Sequence, residues 1–414
     1  AMKFLITLTL LAAALAVSYG YKSYSDYVVV RSTPVTKEQL AHLRFMYEKD
    51  LLSFWSEPRR LKEPVDIMVR KSMVEGLSEN LRAMEIHSFV LHQDIDRLVQ
   101  DTLPTAAPFS RAHGMDWNSY HRLDDVHKYI RHLAQKYPEL CRLVNLGKSF
   151  EDRDMLMLII ENKKSTKPKR QIMIDGGIHA REWISVAVVS HFLQDFIENY
   201  KDNSNILDNY ILHIIPSINP DGYEYSHTEE RVWRKTRSEN PNSRCKGADP
   251  NRNFDYHWGE LGTSTFPCSD IYHGSKPLSE REMVYIANHL TSHNFTLYLS
   301  FHSYSQLILY PWGYDAVYAD DDEDLSSLAA VGSQAILDTT GLEYDYGVSS
   351  ILLYPAAGGS DDYAKGVAGV KYSYTIELRD RGQYGFLLPP TQIMPTVLEA
   401  RAMVLAMLES LMSR

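Results

Sequence analysis

Positive charge is in short supply: 43 Lys and Arg stand against 53 Asp and Glu in 414 residues, a formal net charge of −10. That balance argues against nucleic acid or an anionic membrane as a partner held by bulk electrostatics. Long apolar runs are missing too. The run over residues 4–17 falls short of the about 20 residues a spanning helix needs. It follows Lys3 and leads into Ser18-Tyr19-Gly20. Residues 1–20 therefore read as a secretory leader cleaved after Gly20, with Ala1 an extra residue ahead of Met2. Cysteine is scarce, at three positions. In a secreted chain Cys245 and Cys268, flanking a polar Asn/Pro/Gly-rich stretch, are expected to bridge. Cys141, inside the apolar pattern Leu140-Cys-Arg-Leu-Val144, is expected to stay free as a buried small hydrophobe. No internal repeat is visible. What remains is ample core material, at 44% hydrophobic, and length for roughly two or three domains.

The chain has one clear boundary. Residues 25–100 alternate β-like runs (26–31, 65–69, 87–91) with helical patterns (37–51, 71–84, 93–99), which suits a small α+β domain with an antiparallel sheet over 21–101. Residues 102–111, Thr-Leu-Pro-Thr-Ala-Ala-Pro-Phe-Ser-Arg, read as an exposed linker open to a trypsin-like protease near Arg111. From 112 to 414 strand-like runs (155–161, 171–175, 210–215, 296–301, 371–378) alternate with helical ones (123–137, 183–200, 279–292, 325–339, 391–412). That alternation predicts a single α/β domain with a mixed, mostly buried sheet flanked by helices. The acidic run 320–324 reads as a solvated loop, as does the basic run 163–170. Asn294-Phe-Thr296 is an N-glycosylation acceptor sequence that leads into a strand.

Two His and a carboxylate make an open zinc site, and a second carboxylate can serve as the base beside it. His-x-x-Glu occurs three times: His179/Glu182, His227/Glu230 and His257/Glu260. Only the first sits between an apolar run ending in Gly-Gly and an apolar helix, which puts it at the carboxyl end of a strand, where open α/β sheets hold ligands. His302 ends another apolar run and Glu377 a third. If these strands run parallel, the three pieces share one edge.

The residues around those pieces are recognisable. Gly176-Gly-Ile-His-Ala-Arg-Glu-Trp-Ile184, Ser300-Phe-His-Ser-Tyr-Ser-Gln306 and Thr375-Ile-Glu-Leu-Arg379 closely resemble the zinc segments of the secreted funnelin metallocarboxypeptidases, the pancreatic A/B type. The resemblance runs from about Trp117 onward, and residues 21–111 resemble that family's inhibitory propeptide. It implies a zymogen, activated by a trypsin-like protease, that removes one C-terminal residue. It also implies a monomer in an extracellular digestive lumen, with peptides bearing a free C-terminal carboxylate and proteinaceous carboxypeptidase inhibitors as partners. His179, Glu182 and His302 match the ligands of one Zn2+, and Asp249 matches the carboxylate that orients the first ligand His. Glu377 matches the general base acting on zinc-bound water, and Arg234 the oxyanion stabiliser. Arg234 also has Glu229, Glu230 and Glu239 nearby in sequence as surface salt-bridge partners.

Asn251, Arg252 and Tyr354 match the clamp on the substrate's terminal carboxylate, and Arg181, Ser303 and Tyr304 match contacts further from the cut. Asp361 stands where B-type enzymes carry Asp and A-type enzymes an apolar residue, so the resemblance implies release of Lys or Arg. One of Asp361 and Asp362 is expected to cap the following segment instead. Gly313, where B-type enzymes tend to have Ser, and Ser349, where a Gly is expected, depart from the pattern. The alternatives are A-type specificity, an amidohydrolase of acylated amino acids, and a non-catalytic zinc- and peptide-binding relative.

Overall fold

The computed structural model describes residues 21–103 and 115–414. The leader and the cleavage expected near Arg111 lie outside the described residues. The first unit is a four-stranded antiparallel sheet, with β1 (Tyr27–Thr33), β2 (Ser53–Phe54), β3 (Val65–Arg70) and β4 (His87–His92) in the order β2-β3-β1-β4. Alternation along β1 gives the sheet two apolar faces. Val28 and Val30 pack under the helices Lys37–Glu48 and Val74–Ala83, through Leu43, Leu77 and Leu81. Val29 turns the other way and meets Val232, Tyr304 and Phe386 of the large domain. The small domain is thus docked by an apolar face of its own sheet.

The large domain holds eight strands: β5 (Cys141–Lys148), β6 (Asp154–Ile160), β7 (Arg170–Gly176), β8 (Tyr210–Ile215), β9 (Phe295–Ser303), β10 (Leu307–Tyr310), β11 (Asp345–Val348) and β12 (Tyr372–Leu378). Their order is β11-β10-β12-β9-β7-β8-β6-β5, with β12, β9, β7 and β8 mutually parallel. Helices cover both faces, so the central strands are near-continuous apolar runs. Ile172, Ile174 and Leu299 face the helices Leu123–Lys136, Trp183–Ile197, Asp322–Thr340 and Ile393–Met412. Met173 and Tyr298 face the helix Arg281–Thr291. Helix Trp183–Ile197 is buried on almost every side, as an element wedged between sheet and outer helices must be.

The acidic run read as a solvated loop is instead structured. Asp321 is the N-cap of helix Asp322–Thr340, and Asp322, Glu323 and Asp324 fill its first turn, where the helix dipole favours negative charge. Asp324 is further held by Lys371 at 2.6 Å and Arg414 at 2.5 Å. The helix ends at Gly341, whose φ of 72° is a left-handed conformation suited to glycine. Cys245 and Cys268 are bridged and Cys141 is free and buried. Asn294 is exposed just before β9. Among the described residues no helix is long and apolar enough to cross a membrane.

Candidate active site

Three parallel strands deliver the site to one edge of the sheet. β7 ends at Gly176, and Gly177 follows with φ +64°, where an added Cβ would come within 2.7 Å of Val186. That turn puts His179 beyond the strand end and lets Glu182 cap helix Trp183–Ile197. On β9 and β12, His302 and Glu377 are register partners. The parallel arrangement expected of these strands holds, and it makes neighbours of residues far apart in sequence.

Nδ1 of His179 lies 2.7 Å from Oε1 of Glu182 and 3.3 Å from Nδ1 of His302, which is 3.4 Å from Oε2 of Glu182. All three side chains are buried. Atoms ~2.0–2.2 Å from a tetrahedral zinc stand ~3.3–3.5 Å apart, so the two spacings to His302 and the donor set fit that ion, while His179 and Glu182 sit at hydrogen-bond distance and would part slightly around it. Two imidazole nitrogens facing each other in a buried pocket are satisfied by a cation between them far better than by each other. Burial works to raise the Glu182 carboxyl, but His179 and then His302 hold it below the usual carboxylate range.

The outward nitrogens are held as well. Nε2 of His179 meets Oδ1 of Asp249 at 3.2 Å. Nε2 of His302 meets Oγ of Ser300 at 3.2 Å, and that hydroxyl donates to Asp175 at 2.8 Å. A hydroxyl that donates its proton to Asp175 must accept one from His302, which leaves Nδ1 of His302 as the free lone pair aimed at the ligand cluster. Burial pushes Asp175 up to about 7 against the hydroxyls of Tyr298 and Ser300. Asp175 and Ser300 escaped the sequence reading, although a lone acid inside the apolar run Ile172–Gly176 was a signal.

Arg234 is no surface salt-bridge partner. It is buried, with Nε and Nη2 both on Oδ2 of Asp249 at 3.0 and 2.9 Å, while Glu230 pairs with Lys22. Burial raises Asp249, yet the charges of Arg234, His179 and Arg252 overcome it and keep the carboxyl well below the usual range. Arg252 donates to the Tyr354 hydroxyl at 3.0 Å, and Oδ1 of Asn251 accepts the Ser360 N–H at 2.9 Å. Arg234, Asn251, Arg252 and Tyr354, with Ser303, Tyr304 and Glu377, line one cleft. Arg181 does not line it: its guanidinium binds Asp270 at 3.2 Å and lies over the Phe386 ring. Burial raises Glu377 well above ordinary carboxylates, and the charges of Glu182 and Glu57 add to the shift.

Neither Asp caps the following segment as expected: helix Ser360–Gly366 has Gly359 at its N-cap and no side-chain cap. Asp362 accepts the backbone N–H groups of Gly313 and Tyr314, both at 2.8 Å, and is structural. Asp361 lines the cleft, 5% exposed, and accepts from Oγ of Ser349 at 3.2 Å. The other two His-x-x-Glu pairs hold no such cluster. His227 is stacked on the Trp183 ring at 3.7 Å, and His257 meets its Glu260 in a local surface pair at 3.0 Å.

The small domain enters the same cleft. Trp55, Ser56 and Glu57 line it, and the Tyr354 hydroxyl donates to Glu57 at 2.9 Å. Around that contact Arg59 reaches Ser305 at 2.9 Å, and Arg31 joins Asp66 to the Gly382 carbonyl. Glu57 left no signal in the sequence, because its position depends on how two domains dock.

Residues 126–403 match the family model described as zinc carboxypeptidase, and residues 30–102 match that of the carboxypeptidase activation peptide. Carboxypeptidase B of Astacus astacus is 49% identical over 68% of this chain and 93% of its own length. Carboxypeptidase A1 of Bos taurus is 34% identical over 97% of this chain and 98% of its own length. The crystal structure of thrombin activatable fibrinolysis inhibitor superposes with a TM-score of 0.84 at 32% identity, covering 93% of this chain and 98% of that one.

Proposed function

This chain belongs to the zinc carboxypeptidase family and carries an activation peptide, and on that premise we propose that the processed enzyme releases Lys or Arg from peptide C-termini. One observation carries the specificity. Asp361 is buried in the cleft wall, accepting only from the Ser349 hydroxyl and the Asp362 backbone N–H, and among the described residues no cation pairs with it. A buried carboxylate without a counter-ion favours a ligand that brings one and penalises an apolar side chain. Secretion into a digestive lumen, cleavage near Arg111 by a trypsin-like protease and action as a monomer belong to the same proposal.

In this reading His179, Glu182 and His302 hold zinc, which supplies Lewis acidity for the scissile carbonyl and the attacking water. Arg252 grips the terminal carboxylate and Tyr354 closes on it, so an internal peptide bond would leave a buried guanidinium unpaired. Glu377 takes a proton from the water and returns it to the leaving amine. Arg234 has two N–H groups committed to Asp249, which leaves Nη1 for the developing oxyanion. Asn251, Ser303 and Tyr304 shape the cleft on either side of the cut.

Matched peptides ending in Lys, Arg and Phe, given to chain cleaved near Arg111, test this directly. The expected kcat/KM for Lys and Arg exceeds that for Phe by at least about 10²-fold, and a chelator abolishes all three. A preference for Phe would establish the A-type alternative, which Gly313 and the A-type relatives favour. Activity that survives chelation would remove zinc from the mechanism.

Glu57 is proposed to hold the clamp shut in the zymogen, because it occupies the Tyr354 hydroxyl beside Arg252. Glu57→Gln is expected to raise activity of the uncleaved chain on a short Lys peptide by about tenfold, the worth of one charge-assisted hydrogen bond. The cleaved enzyme, which has shed residue 57, should be unchanged. Equal activity of the two uncleaved chains would sink the assignment.

A further inference from the structure

The helix Arg281–Thr291 brings a second group of imidazoles to the sheet, at the end of β9 remote from His302. His213 lies in β8, paired with Ile159 and Met173 on the face this helix covers. His289 is in the last turn of the helix, and His293 follows in the short link to β9. Nδ1 of His213 is 2.9 Å from Nε2 of His289, and one ring nitrogen from each of the three lies within 4.8 Å of the others. His213 and His289 are buried, whereas His293 is half-buried.

We propose that His213, His289 and His293 form a second metal site, for a divalent transition ion such as Zn2+. At ~3.3 Å of rise per residue along β9, it lies roughly 20 Å or more from the catalytic cluster. The donor chemistry selects the ion class: three imidazoles with no carboxylate or thiolate among them suit zinc, cobalt, nickel or copper, and not calcium or magnesium. Local hydrogen bonding prepares the donors. Nδ1 of His293 meets the His289 carbonyl at 3.0 Å. A carbonyl can only accept, so Nδ1 carries the proton and Nε2 carries the lone pair. Between His213 and His289 a single shared proton holds the pair, and an ion can take its place.

Ligands of a four-coordinate zinc stand ~3.3 Å apart, and the three ligand atoms lie within 4.8 Å of one another, so binding requires at most a small closure. His293 can supply that movement by rotating its ring, because it lies past the end of the helix and is half-exposed. The bound ion would tie β8, the helix and the entry to β9 together.

The test uses cleaved enzyme holding one zinc per chain, titrated with Co2+. Binding of a second equivalent is expected, with the visible absorption of a four-coordinate nitrogen-rich site and a rise in Tm. His293→Ala removes a half-exposed ligand without opening the core. It should weaken the second equivalent by at least tenfold and abolish the Tm rise, with the first equivalent and kcat/KM on Lys peptides unchanged. Stoichiometry that stays at one ion per chain overturns the proposal. So does a second equivalent that binds His293→Ala as tightly as the parent enzyme.

Discussion

Glu377→Gln in the cleaved enzyme is expected to lower kcat on a Lys-terminated peptide by about 10³- to 10⁴-fold, or about 4 to 5.5 kcal/mol of barrier. The amide keeps the shape of the side chain but cannot take a proton from water. Because Glu377 is the register partner of His302, strand pairing holds it beside the cluster, and the substitution should disturb neither β9 nor β12. One zinc per chain should therefore be retained. Removing a half-buried carboxylate that is not ion-paired should leave Tm the same or higher. KM should change little, since Arg252 and Tyr354 provide the grip. A fall in kcat of less than tenfold with zinc retained would show that another group moves the proton. Loss of zinc would mean that the side chain supports the cluster instead.

That site was legible because its ligands follow strands that are buried on both faces. Continuous apolar runs announced β6, β7, β8, β9 and β12, and a polar residue at the end of each of three runs then stood out. The strands at and next to the sheet edges gave weaker signals. β10 and β11 are four residues each, and β11, Asp345-Tyr-Gly-Val348, is largely exposed. β5 places Arg142 and Leu143 in solvent, so its pattern follows neither burial period cleanly. What sequence could not reach were contacts made by packing. Asp249 lies inside the loop closed by Cys245–Cys268 and Arg234 outside it, Glu57 enters from another domain, and the His213–His289 pair exists only because a helix packs on that face of the sheet. Arg181, a motif position expected to touch substrate, is held by Asp270 and the Phe386 ring, contacts the sequence did not announce.

Asp361→Leu is expected to cut kcat/KM for a Lys-terminated peptide by between about 10² and 10³, because it leaves the substrate's ammonium buried without a partner, a loss of about 3 to 4 kcal/mol. The same change should raise kcat/KM for a Phe-terminated peptide, since apolar surface now meets apolar surface. Asp361→Asn separates charge from shape: Lys should suffer nearly as much while Phe gains little. The departures at Gly313 and Ser349 fit this reading when taken together. A Cβ at position 313 would meet Oδ2 of Asp362 at 3.5 Å, an ordinary contact, so a side chain could stand there. The hydroxyl facing Asp361 comes instead from Ser349, at 3.2 Å. Ser349→Ala should then weaken Lys turnover by only about fivefold, the worth of one neutral hydrogen bond. Zinc content and Tm equal to the parent enzyme would show that each variant is folded. If Asp361→Leu left the Lys-to-Phe ratio within tenfold of the parent, the charge that reads the substrate would have to lie elsewhere in the cleft.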